Sequence, residues 1–317
     1  MILNKRVLIT GGAGFIGVSL AERLLRNNKV VIYDNFHRNA LRHTNLKNHK
    51  NLKVVKGDIL DVKSLAKAAK GTNIIIHLAS IAGVDTVLSM PVKTMEVALI
   101  GTYNALKVAE GLARCDRFVD FSTSEVFGAY AFNVKETDVT TLGTVAEARW
   151  TYAVSKLATE HLALNYHREK GLPTVAIRPF NIFGPRQVGI GAIHQFISQA
   201  LHNKPLSIHN DGSQIRSWCY IDDIVDGLML CLSKKEAVGN TFNIGNPKNT
   251  LTIYNLAQTI KRLSGAPLKI IFVKKDIQDV ELRVPDIDKA RKLLGYEPKI
   301  DLEQGLLRTI DWYRTHE

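Results

Sequence analysis

Short apolar runs alternate with longer amphipathic segments through the first half of the chain. The apolar runs have the length of buried strands, and the amphipathic segments repeat their apolar positions at helical spacing. Strands that alternate with helices in this way form a doubly wound, parallel α/β sheet of the Rossmann type. The pattern predicts strands at residues 7–10, 29–33, 52–56, 74–78, 117–122 and 174–178, and helices at residues 18–26, 62–69, 95–112 and 152–169.

The local composition of the chain changes after Pro179. Proline and glycine become frequent there, and the elements that the pattern predicts become shorter. We therefore predict a Rossmann domain over residues 1–179 and a smaller C-terminal domain over residues 180–317 that binds the substrate. Some segments of the second part are expected to return to the Rossmann sheet.

Composition narrows the classes of protein that fit this pattern. The 317 residues are 45% hydrophobic, enough for a packed core, and no apolar run is long enough to cross a membrane. The N-terminal residues lead straight into the first strand, so no signal peptide is expected. Three cysteines without pairing or metal-ligand spacing favour the reducing cytoplasm and no metal site. The net charge of +12 is spread along the chain, which favours an anionic substrate or a solvated surface over nucleic acid.

The segment TGGAGFIG at residues 10–17 connects the first strand to the first helix. Its glycines permit a tight turn, a close approach of pyrophosphate to the backbone and close packing of helix on strand, while the helix N-terminus holds the phosphate charge. Asp34 ends the next apolar run, twenty residues after Gly14, where a carboxylate binds a ribose 2′-hydroxyl and repels a 2′-phosphate. The sequence therefore predicts NAD as the cofactor. The contacts predicted within the segment are Gly11, Gly14, Phe15, Ile16 and Gly17.

Other strands of the predicted sheet end in residues that suit the same cofactor. Ligands of doubly wound sheets bind beyond the carboxyl ends of the strands, and these ends include the segments GD at 57–58 and HLAS at 77–80. These strand ends are therefore expected to line the cofactor groove. The further predicted contacts are Asn35, Asp58, Ile59, Leu78, Ala79, Ser80 and Pro179, together with Tyr152 and Lys156.

Tyr152 and Lys156 are four residues apart in a predicted helix, so they lie on one face of it. A tyrosine is a poor base near neutral pH, but a neighbouring ammonium and the charge of an oxidised nicotinamide favour its phenolate. Thr123 follows the fifth predicted strand and is placed to bind the oxygen that Tyr152 deprotonates. Each pattern alone also occurs on ordinary helix faces and polar turns. Together they predict a site that oxidises a hydroxyl group beside the nicotinamide.

These features resemble the extended short-chain dehydrogenases/reductases of the NAD-dependent epimerase/dehydratase family, which act on nucleotide sugars. The resemblance implies that Asn181 and Arg216 contact the nucleotide diphosphate, that Arg186 also binds substrate, and that two long helices pair across a two-fold axis in a homodimer. The chain departs from the family at Ala98, where many members have an asparagine near the nicotinamide. The resemblance spans nearly the whole chain and continues through the segments RPFN at 178–181, FGPR at 183–186 and YIDD at 220–223.

The resemblance implies a common first step, oxidation of the sugar C4 hydroxyl, and leaves three continuations open. In a 4,6-dehydratase, Glu125 would remove the C5 proton, although Ser124 stands where dTDP-glucose dehydratases have an aspartate as the acid. In a UDP-glucuronate decarboxylase, the 4-keto acid loses carbon dioxide without a base at C5, and Ser124 and Arg283 would hold the carboxylate. In a 4-epimerase no acid or base at C5 is needed, and the family's epimerases usually have a small residue in place of Glu125.

Three segments shift the prediction towards decarboxylation of UDP-glucuronate. The family's decarboxylases also have TSE, as at 123–125 here, and an arginine in a segment similar to DVELRVPDI at 279–287. Dehydratases of GDP-sugars share TSE, so Ser124 does not exclude dehydration. The decarboxylase that modifies lipid A precursors is further similar to ARWTYAVSK at 148–156. Arg283 fits a phosphate ligand or a salt-bridge partner equally well. The UDP-sugar prediction rests on this resemblance alone.

A protein without catalytic activity is the alternative from a different class. Some members of the superfamily bind NAD and serve as sensors or RNA-associated proteins, and these tend to lose the tyrosine–lysine pair. Thr123, Tyr152 and Lys156 are all present here, so we predict an enzyme.

Overall fold

The computed structural model describes residues 2–316 apart from residues 190, 266 and 275–278. No helix in the described part of the chain is both long enough and apolar enough to span a bilayer. The strands are β1 (Arg6–Thr10), β2 (Lys29–Asp34), β3 (Leu52–Lys56), β4 (Ile74–His77), β5 (Arg117–Phe121), β6 (Tyr130–Val134), β7 (Thr174–Pro179), β8 (Ile182–Phe183), β9 (Leu206–His209), β10 (Ile215–Ser217), β11 (Cys219–Tyr220), β12 (Thr241–Ile244), β13 (Thr250–Thr252), β14 (Ile270–Val273) and β15 (Leu282–Pro285). The helices are α1 (Phe15–Leu24), α2 (Val62–Ala69), α3 (Val84–Ser89), α4 (Pro91–Glu110), α5 (Thr151–Lys170), α6 (Ala192–Leu201), α7 (Ile221–Ser233), α8 (Ile253–Ser264), α9 (Asp288–Leu294) and α10 (Leu302–His316), with 3₁₀ turns at Ser124–Phe127 and Ala148–Trp150 among the shorter elements.

The strands and helices predicted for the first half of the chain are present in the structure. β3 and α2 have the predicted bounds. The helix α1 begins at Phe15, three residues earlier than predicted, because Gly14 caps it directly and the glycine segment supplies its first turn. The helix α4 begins at Pro91, four residues earlier than predicted, because proline is well tolerated in the first turn of a helix.

The central sheet has seven strands in the order β12-β7-β5-β4-β1-β2-β3. Each neighbouring pair is parallel. The strand order reverses between β1 and β4, and ligands of such sheets bind in the crevice beyond that point. Thr10 and His77, which are register partners, end these two strands. The predicted doubly wound Rossmann sheet is therefore confirmed.

Alternate residues of the central strands fill an apolar layer on each face of the sheet. Leu8, Ile75 and Phe118 are buried in the layer formed with α2, α4 and α5. Their neighbours Ile9 and Ile76 are buried on the opposite face, in the layer formed with α1 and α7. This alternation is the two-residue period of a strand that is covered on both sides. It fixes the carboxyl edge of the sheet between two rigid layers of helices.

A second sheet, with four strands in the order β13-β10-β15-β6, lies beside the turn that follows β5. It takes β6 from the first half of the chain and its other strands from the second half. Conversely, the strand β12 comes from the second half of the chain and joins the central sheet as the parallel neighbour of β7. The two halves of the chain are thus interleaved, and the division at residue 179 stays a prediction.

Candidate active site

The glycine segment forms a tight turn that has no room for side chains at two positions. Gly11 has a φ of +68°, and a Cβ added to it would lie 2.7 Å from the backbone nitrogen of Ala79. A Cβ at Gly17 would lie 2.5 Å from the Cα of Gly12, so α1 packs directly on the turn. Gly14 caps α1 with its backbone and leaves the N–H groups of the first helical turn free of a side-chain cap. Such a turn suits a pyrophosphate, which binds to backbone N–H groups at a helix N-terminus.

Asp34 lies at the end of β2, next to this turn. Its carboxylate accepts the N–H of Ala13 at 3.0 Å and the N–H of Phe36 at 2.7 Å. The side chain is 8% exposed, and burial raises its pKa above the usual value, against these two hydrogen bonds. The glycine turn and the carboxylate are therefore held together before any ligand binds, in the geometry that the prediction of an NAD site requires.

The other predicted cofactor contacts line the same edge of the central sheet. Leu78, Ala79 and Ser80 follow β4, Asn35 follows β2, and Asp58 and Ile59 follow β3, while Pro179 ends β7. The hydroxyl of Tyr33 donates to the Asp58 carbonyl oxygen at 2.8 Å, which ties the ends of β2 and β3 to each other. The turn, the buried carboxylate and these strand ends form a cradle that fits a dinucleotide, and the individual contacts stay predictions.

Tyr152 lies in the first turn of α5 and faces the end of β5. The hydroxyl groups of Thr123 and Ser80 lie close to the phenol and act on its pKa. Burial and the negative charge of Glu125 raise the pKa of Tyr152 well above the usual value for tyrosine, and these two hydroxyl groups oppose the shift only in part. The phenol is therefore protonated until additional positive charge reaches the site.

Lys156 lies one helical turn further along α5 and is 1% exposed. Its ammonium nitrogen lies 3.8 Å from an oxygen of Asp120, a carboxylate in the middle of β5. The neighbouring His77 is bonded through both ring nitrogens, to Thr10 Oγ1 at 2.8 Å and to Thr102 Oγ1 at 3.0 Å. Burial lowers the pKa of His77 to about 3, so this ring is neutral. Lys156 thus approaches the sheet at an ionisable group that sequence analysis did not identify.

Glu125 lies among three buried arginines, Arg149, Arg216 and Arg283, which we call the arginine cage. Its carboxylate accepts hydrogen bonds from Arg149 at 2.7 and 3.4 Å and lies 3.8 Å from Arg283 Nη1. An oxygen of Asp279 lies 3.7 Å from Arg216 and 4.0 Å from Arg149. Among the described residues, the three guanidinium groups thus lie close to the carboxylates of Glu125 and Asp279, and the Glu281 carboxylate also acts electrostatically on Arg216.

Two strands and two tight turns bring the cage together. Arg216 and Arg283 are register partners on the parallel strands β10 and β15, so their side chains leave the same face of the four-stranded sheet. Glu125 lies in the 3₁₀ turn after β5, which Thr123 caps by accepting the N–H of Glu125 at 3.2 Å. Arg149 lies in the 3₁₀ turn that leads into α5. The cage and Tyr152 are therefore fixed by the same two elements, the end of β5 and the start of α5.

The charges of the cage determine the protonation state of its members. Burial favours protonation of Glu125, yet Arg149 and Arg283 together hold its pKa below the usual value. Burial lowers the pKa of Arg283 to about 10, which leaves this guanidinium charged near neutral pH. An ionised carboxylate that is bound by two guanidinium groups is a weak base and has no proton to donate. The cage is accordingly suited to holding an anion beside Tyr152, and poorly suited to acid–base work at Glu125.

The structure brings some predicted substrate residues into this cluster and places others apart from it. Arg283, Arg216 and Glu125 converge in the cage, and Arg216 also donates to the carbonyl oxygen of Val280. Asn181 donates to the Ser217 carbonyl oxygen at 2.9 Å. Ser124 is buried and precedes Glu125 in the chain. Arg186 lies apart from the arginine cage and forms a two-pronged ion pair with Glu22 of α1, at 2.6 and 2.9 Å.

Three residues near the site were not predicted from the sequence: Arg149, Asp120 and Arg38. Arg149 was part of a segment similar to a known decarboxylase, and that similarity was the signal that could have singled it out. Asp120 follows the apolar residues Phe118 and Val119 of β5 with a buried charge, which is unusual in the centre of a parallel sheet. Arg38 lies in the loop after β2 and donates to the carbonyl oxygen of Ala82, in the loop after β4, at 2.7 Å. This contact between the two loops is visible only in the folded chain.

A glycine turn on a doubly wound sheet, with a tyrosine and lysine one helical turn apart at its carboxyl edge, defines an extended short-chain dehydrogenase/reductase. The model of one family in this class, described as GDP-mannose 4,6 dehydratase, matches residues 8–309. The chain therefore belongs to the GDP-mannose 4,6 dehydratase family.

Curated proteins and solved structures of several activities are similar to this chain over nearly its whole length. A UDP-N-acetyl-alpha-D-glucosaminuronate decarboxylase of Bacillus cytotoxicus is 34% identical, with 99% of each chain covered. UDP-glucuronic acid decarboxylase 5 of Arabidopsis thaliana is 35% identical over 96% of this chain and 87% of its own. The structure of a UDP-glucuronic acid 4-epimerase from Bacillus cereus, in complex with UDP-glucuronic acid and NAD, superimposes with a TM-score of 0.90 at 31% identity, over 98% of this chain and 100% of that one.

Proposed function

We propose that this protein is an NAD-dependent decarboxylase of UDP-glucuronate, which oxidises the sugar at C4 and releases carbon dioxide from C5. The arginine cage beside Tyr152 carries the proposal, because three buried guanidinium groups suit the carboxylate of a uronate and are costly beside a neutral sugar. The decarboxylases described above support the same reaction.

The first step uses the residues at the ends of β5 and α5. The glycine turn and Asp34 would hold NAD, which supplies the oxidant for C4 when it is bound. Lys156 and the oxidised nicotinamide provide the positive charge that lowers the pKa of Tyr152, and Tyr152 then removes the proton of the C4 hydroxyl. Thr123 holds the oxygen of that hydroxyl and orients it towards the phenol. The product of this step is a 4-keto uronate, which is a β-keto acid.

The arginine cage acts in the second step. Arg283 and Arg149 hold the sugar carboxylate, while the C5–C6 bond breaks and its electron pair moves into the C4 carbonyl. Carbon dioxide leaves, and a proton adds at C5 to restore the ketone. No base at C5 is needed, which agrees with a Glu125 that is bound by arginine and held ionised.

A panel of sugar nucleotides, analysed by mass spectrometry after incubation with NAD, tests the proposal. We expect UDP-glucuronate or its 2-acetamido analogue to lose carbon dioxide, while UDP-glucose, UDP-N-acetylglucosamine, GDP-mannose and dTDP-glucose keep their mass. Loss of water from any member of the panel would replace the proposal with a 4,6-dehydratase. If no sugar nucleotide of the panel reacts and the protein binds RNA, the protein lacks this enzymatic activity.

Epimerisation of the same uronate at C4 is the second candidate. The Bacillus cereus 4-epimerase structure, with its TM-score of 0.90, supports it. The arginine cage would bind the carboxylate in either reaction. In the epimerase the C5–C6 bond stays intact, and the 4-keto sugar turns over and is reduced on its other face. A uronate of unchanged mass whose C4 proton signals change in an NMR spectrum would favour the epimerase.

Replacement of Glu125 by glutamine separates decarboxylation from dehydration. A dehydratase that uses Glu125 as its C5 base would stall after C4 oxidation, and the absorbance of reduced nicotinamide would accumulate. We expect the variant to form reduced nicotinamide and carbon dioxide from UDP-glucuronate in the same ratio as the wild type, because the ion-paired Glu125 does not act as a base. Stopped-flow absorbance together with measurement of carbon dioxide checks this, and reduced nicotinamide that accumulates in the variant without release of carbon dioxide would contradict the decarboxylase mechanism. Replacement of the exposed Glu303 by glutamine is the matched control.

Replacement of Asp34 by alanine is expected to weaken NAD binding by roughly 10- to 100-fold, because a charged hydrogen-bond acceptor for the ribose is lost. NADP should be affected much less, since the carboxylate repels its 2′-phosphate. Titration calorimetry with both cofactors measures the two changes. Asp34→Asn is the control, because its amide oxygen can still accept the N–H of Ala13 or Phe36. An equal loss for NAD and NADP would show that Asp34 does not contact the ribose.

We further propose that the protein forms a homodimer and works in the cytoplasm. Ile100 and Tyr103 of α4 and Val154 of α5 are large apolar side chains that are 42–49% exposed, on the pair of helices through which the family resemblance implies dimerisation. The free cysteines Cys115, Cys219 and Cys231 fit a reducing compartment.

A further inference from the structure

Asp120 is a buried carboxylate without a hydrogen-bond partner among the described residues. It is the fourth of the five residues of β5 and is 0% exposed, and neither of its oxygens accepts a hydrogen bond from that part of the chain. A carboxylate in this state is costly, because desolvation is not offset by hydrogen bonds, and an apolar side chain of similar volume is often at least as stable. The fold of β5 therefore gives no reason for a charge at this position.

The ionisable groups around Asp120 come from both elements packed against it. On β4 its register partner is His77, which is neutral and bonded through both ring nitrogens. On α5, the ammonium nitrogen of Lys156 lies 3.8 Å from an oxygen of Asp120. Asp120 also interacts electrostatically with Tyr152 and Glu160 of the same helix. Glu160 is already satisfied, since it accepts hydrogen bonds from Ser122, Thr241 and Arg178. Among these neighbours Lys156 is the cation that directly faces Asp120.

We infer that Asp120 is a positioning residue, which holds the Lys156 ammonium against the sheet and thereby sets the pH at which Tyr152 gives up its proton. Lys156 follows Tyr152 by four residues on α5, the spacing at which an ammonium group can favour a phenolate on the same helix face. A carboxylate next to Lys156 holds the ammonium group towards the sheet, on the side away from the phenol. Its own negative charge also disfavours the phenolate. Both effects keep Tyr152 protonated in the free site.

The two carboxylates near Tyr152, Glu125 and Asp120, therefore have different surroundings. Glu125 is ion-paired with the arginine cage, whereas the described groups that face Asp120 belong to the catalytic helix and the sheet. Both carboxylates raise the pKa of Tyr152. Asp120 thus influences when Tyr152 becomes a base without touching the substrate. The inference rests on the proposed C4 oxidation for its effect on rate, but the pairing of Asp120 with Lys156 stands apart from any reaction.

The first test is the pH dependence of kcat/KM for the Asp120→Asn variant. Removal of the negative charge is expected to move the acidic limb of the profile to lower pH by about half a unit or more, because the phenolate becomes easier to form. A merely structural role for Asp120 would lower the rate at all pH values and leave the limb in place. An unmoved limb, or a limb that moves to higher pH, would overturn the inference. Asp120→Leu should move the limb in the same direction.

The second test needs neither substrate nor turnover, so it survives a failure of the proposed function. Thermal unfolding near neutral pH is measured for the wild type, Asp120→Asn, Lys156→Met and the double variant, as a double-mutant cycle. Lys156→Met should lower Tm more when Asp120 is present, since it leaves a buried charge without its counter-ion. Additive changes in Tm would show that the two groups do not interact and would overturn the inference.

Asp223 provides a matched control for both tests. It is also a buried carboxylate, but it accepts the N–H groups of Lys299 and Ile300 at 2.8 and 3.1 Å, away from Tyr152. Asp223→Asn is expected to lower Tm without moving the acidic limb. A limb that moves equally in this control would mean that the change in Asp120→Asn is unspecific, and it would count against the inference.

Discussion

Replacement of Tyr152 by phenylalanine is expected to lower turnover of UDP-glucuronate by ~10²- to 10⁴-fold, because the general base of the first step is lost. The fold should be preserved, since the hydroxyl is the only group removed and its partner Thr123 also caps the turn after β5. Single-turnover formation of reduced nicotinamide measures the loss at the step that Tyr152 serves. NAD affinity should change little, which separates a chemical defect from a binding defect.

Tyr166→Phe is the matched control for this experiment. Tyr166 lies on the same helix, α5, but its phenol faces Lys107 and Glu110 of α4 rather than Tyr152. It should turn over substrate like the wild type. Near-normal turnover in Tyr152→Phe would remove Tyr152 from the mechanism, and a collapse of the control would point to the helix rather than to the phenol.

Replacement of Arg283 by methionine is expected to reduce kcat/KM for UDP-glucuronate by about 10²- to 10³-fold, because a buried charge partner of the substrate carboxylate is removed. The change also removes one of the three guanidinium groups of the arginine cage, so that a second anion is bound less favourably beside Glu125. Initial rates over a range of substrate concentrations, compared with the affinity for UDP, measure the effect. Binding of UDP alone should be nearly unchanged.

Two variants control for loss of structure at this position. Arg283→Lys retains the charge and should recover part of the activity, although it loses the two-pronged geometry. Arg291→Met removes an exposed arginine of α9 and should behave like the wild type. If Arg283→Met weakened UDP binding as much as it weakened turnover, Arg283 would be a ligand of the diphosphate and the cage would not be a carboxylate site.

The parts of the fold that depend on local periodicity were predictable from the sequence. The strand β3 and the helix α2 follow from alternation and helical spacing within a few residues, and their bounds agree with the structure. The pairing of β6 with β15 and the place of β12 beside β7 were not predicted in detail, because such contacts join segments that are far apart in the chain. No local pattern encodes which of several short strands will meet.

The same distinction applies to the site. Tyr152 and Lys156 could be recognised because a four-residue spacing on a helix already places them together. The pairing of Arg149 with Glu125 joins two turns that the sequence separates by 24 residues, and it became visible only in the folded chain. Asp120 was hidden by its apolar neighbours in β5, which identified the strand and drew attention away from the one charge in its middle.

The arginine cage also has a consequence for the order in which the molecule assembles. Arg283 donates to the carbonyl oxygen of Gly128 across 155 residues, and its strand β15 pairs with β6 over a similar span. Contacts of such high sequence separation are slow to form and require most of the chain to have left the ribosome. The glycine turn and Asp34 lie within the first few dozen residues and can associate early. During synthesis the glycine turn and Asp34 should therefore come together first, and the ability to distinguish an acidic sugar from a neutral one, which we propose for the arginine cage, should be the last property that the growing chain acquires.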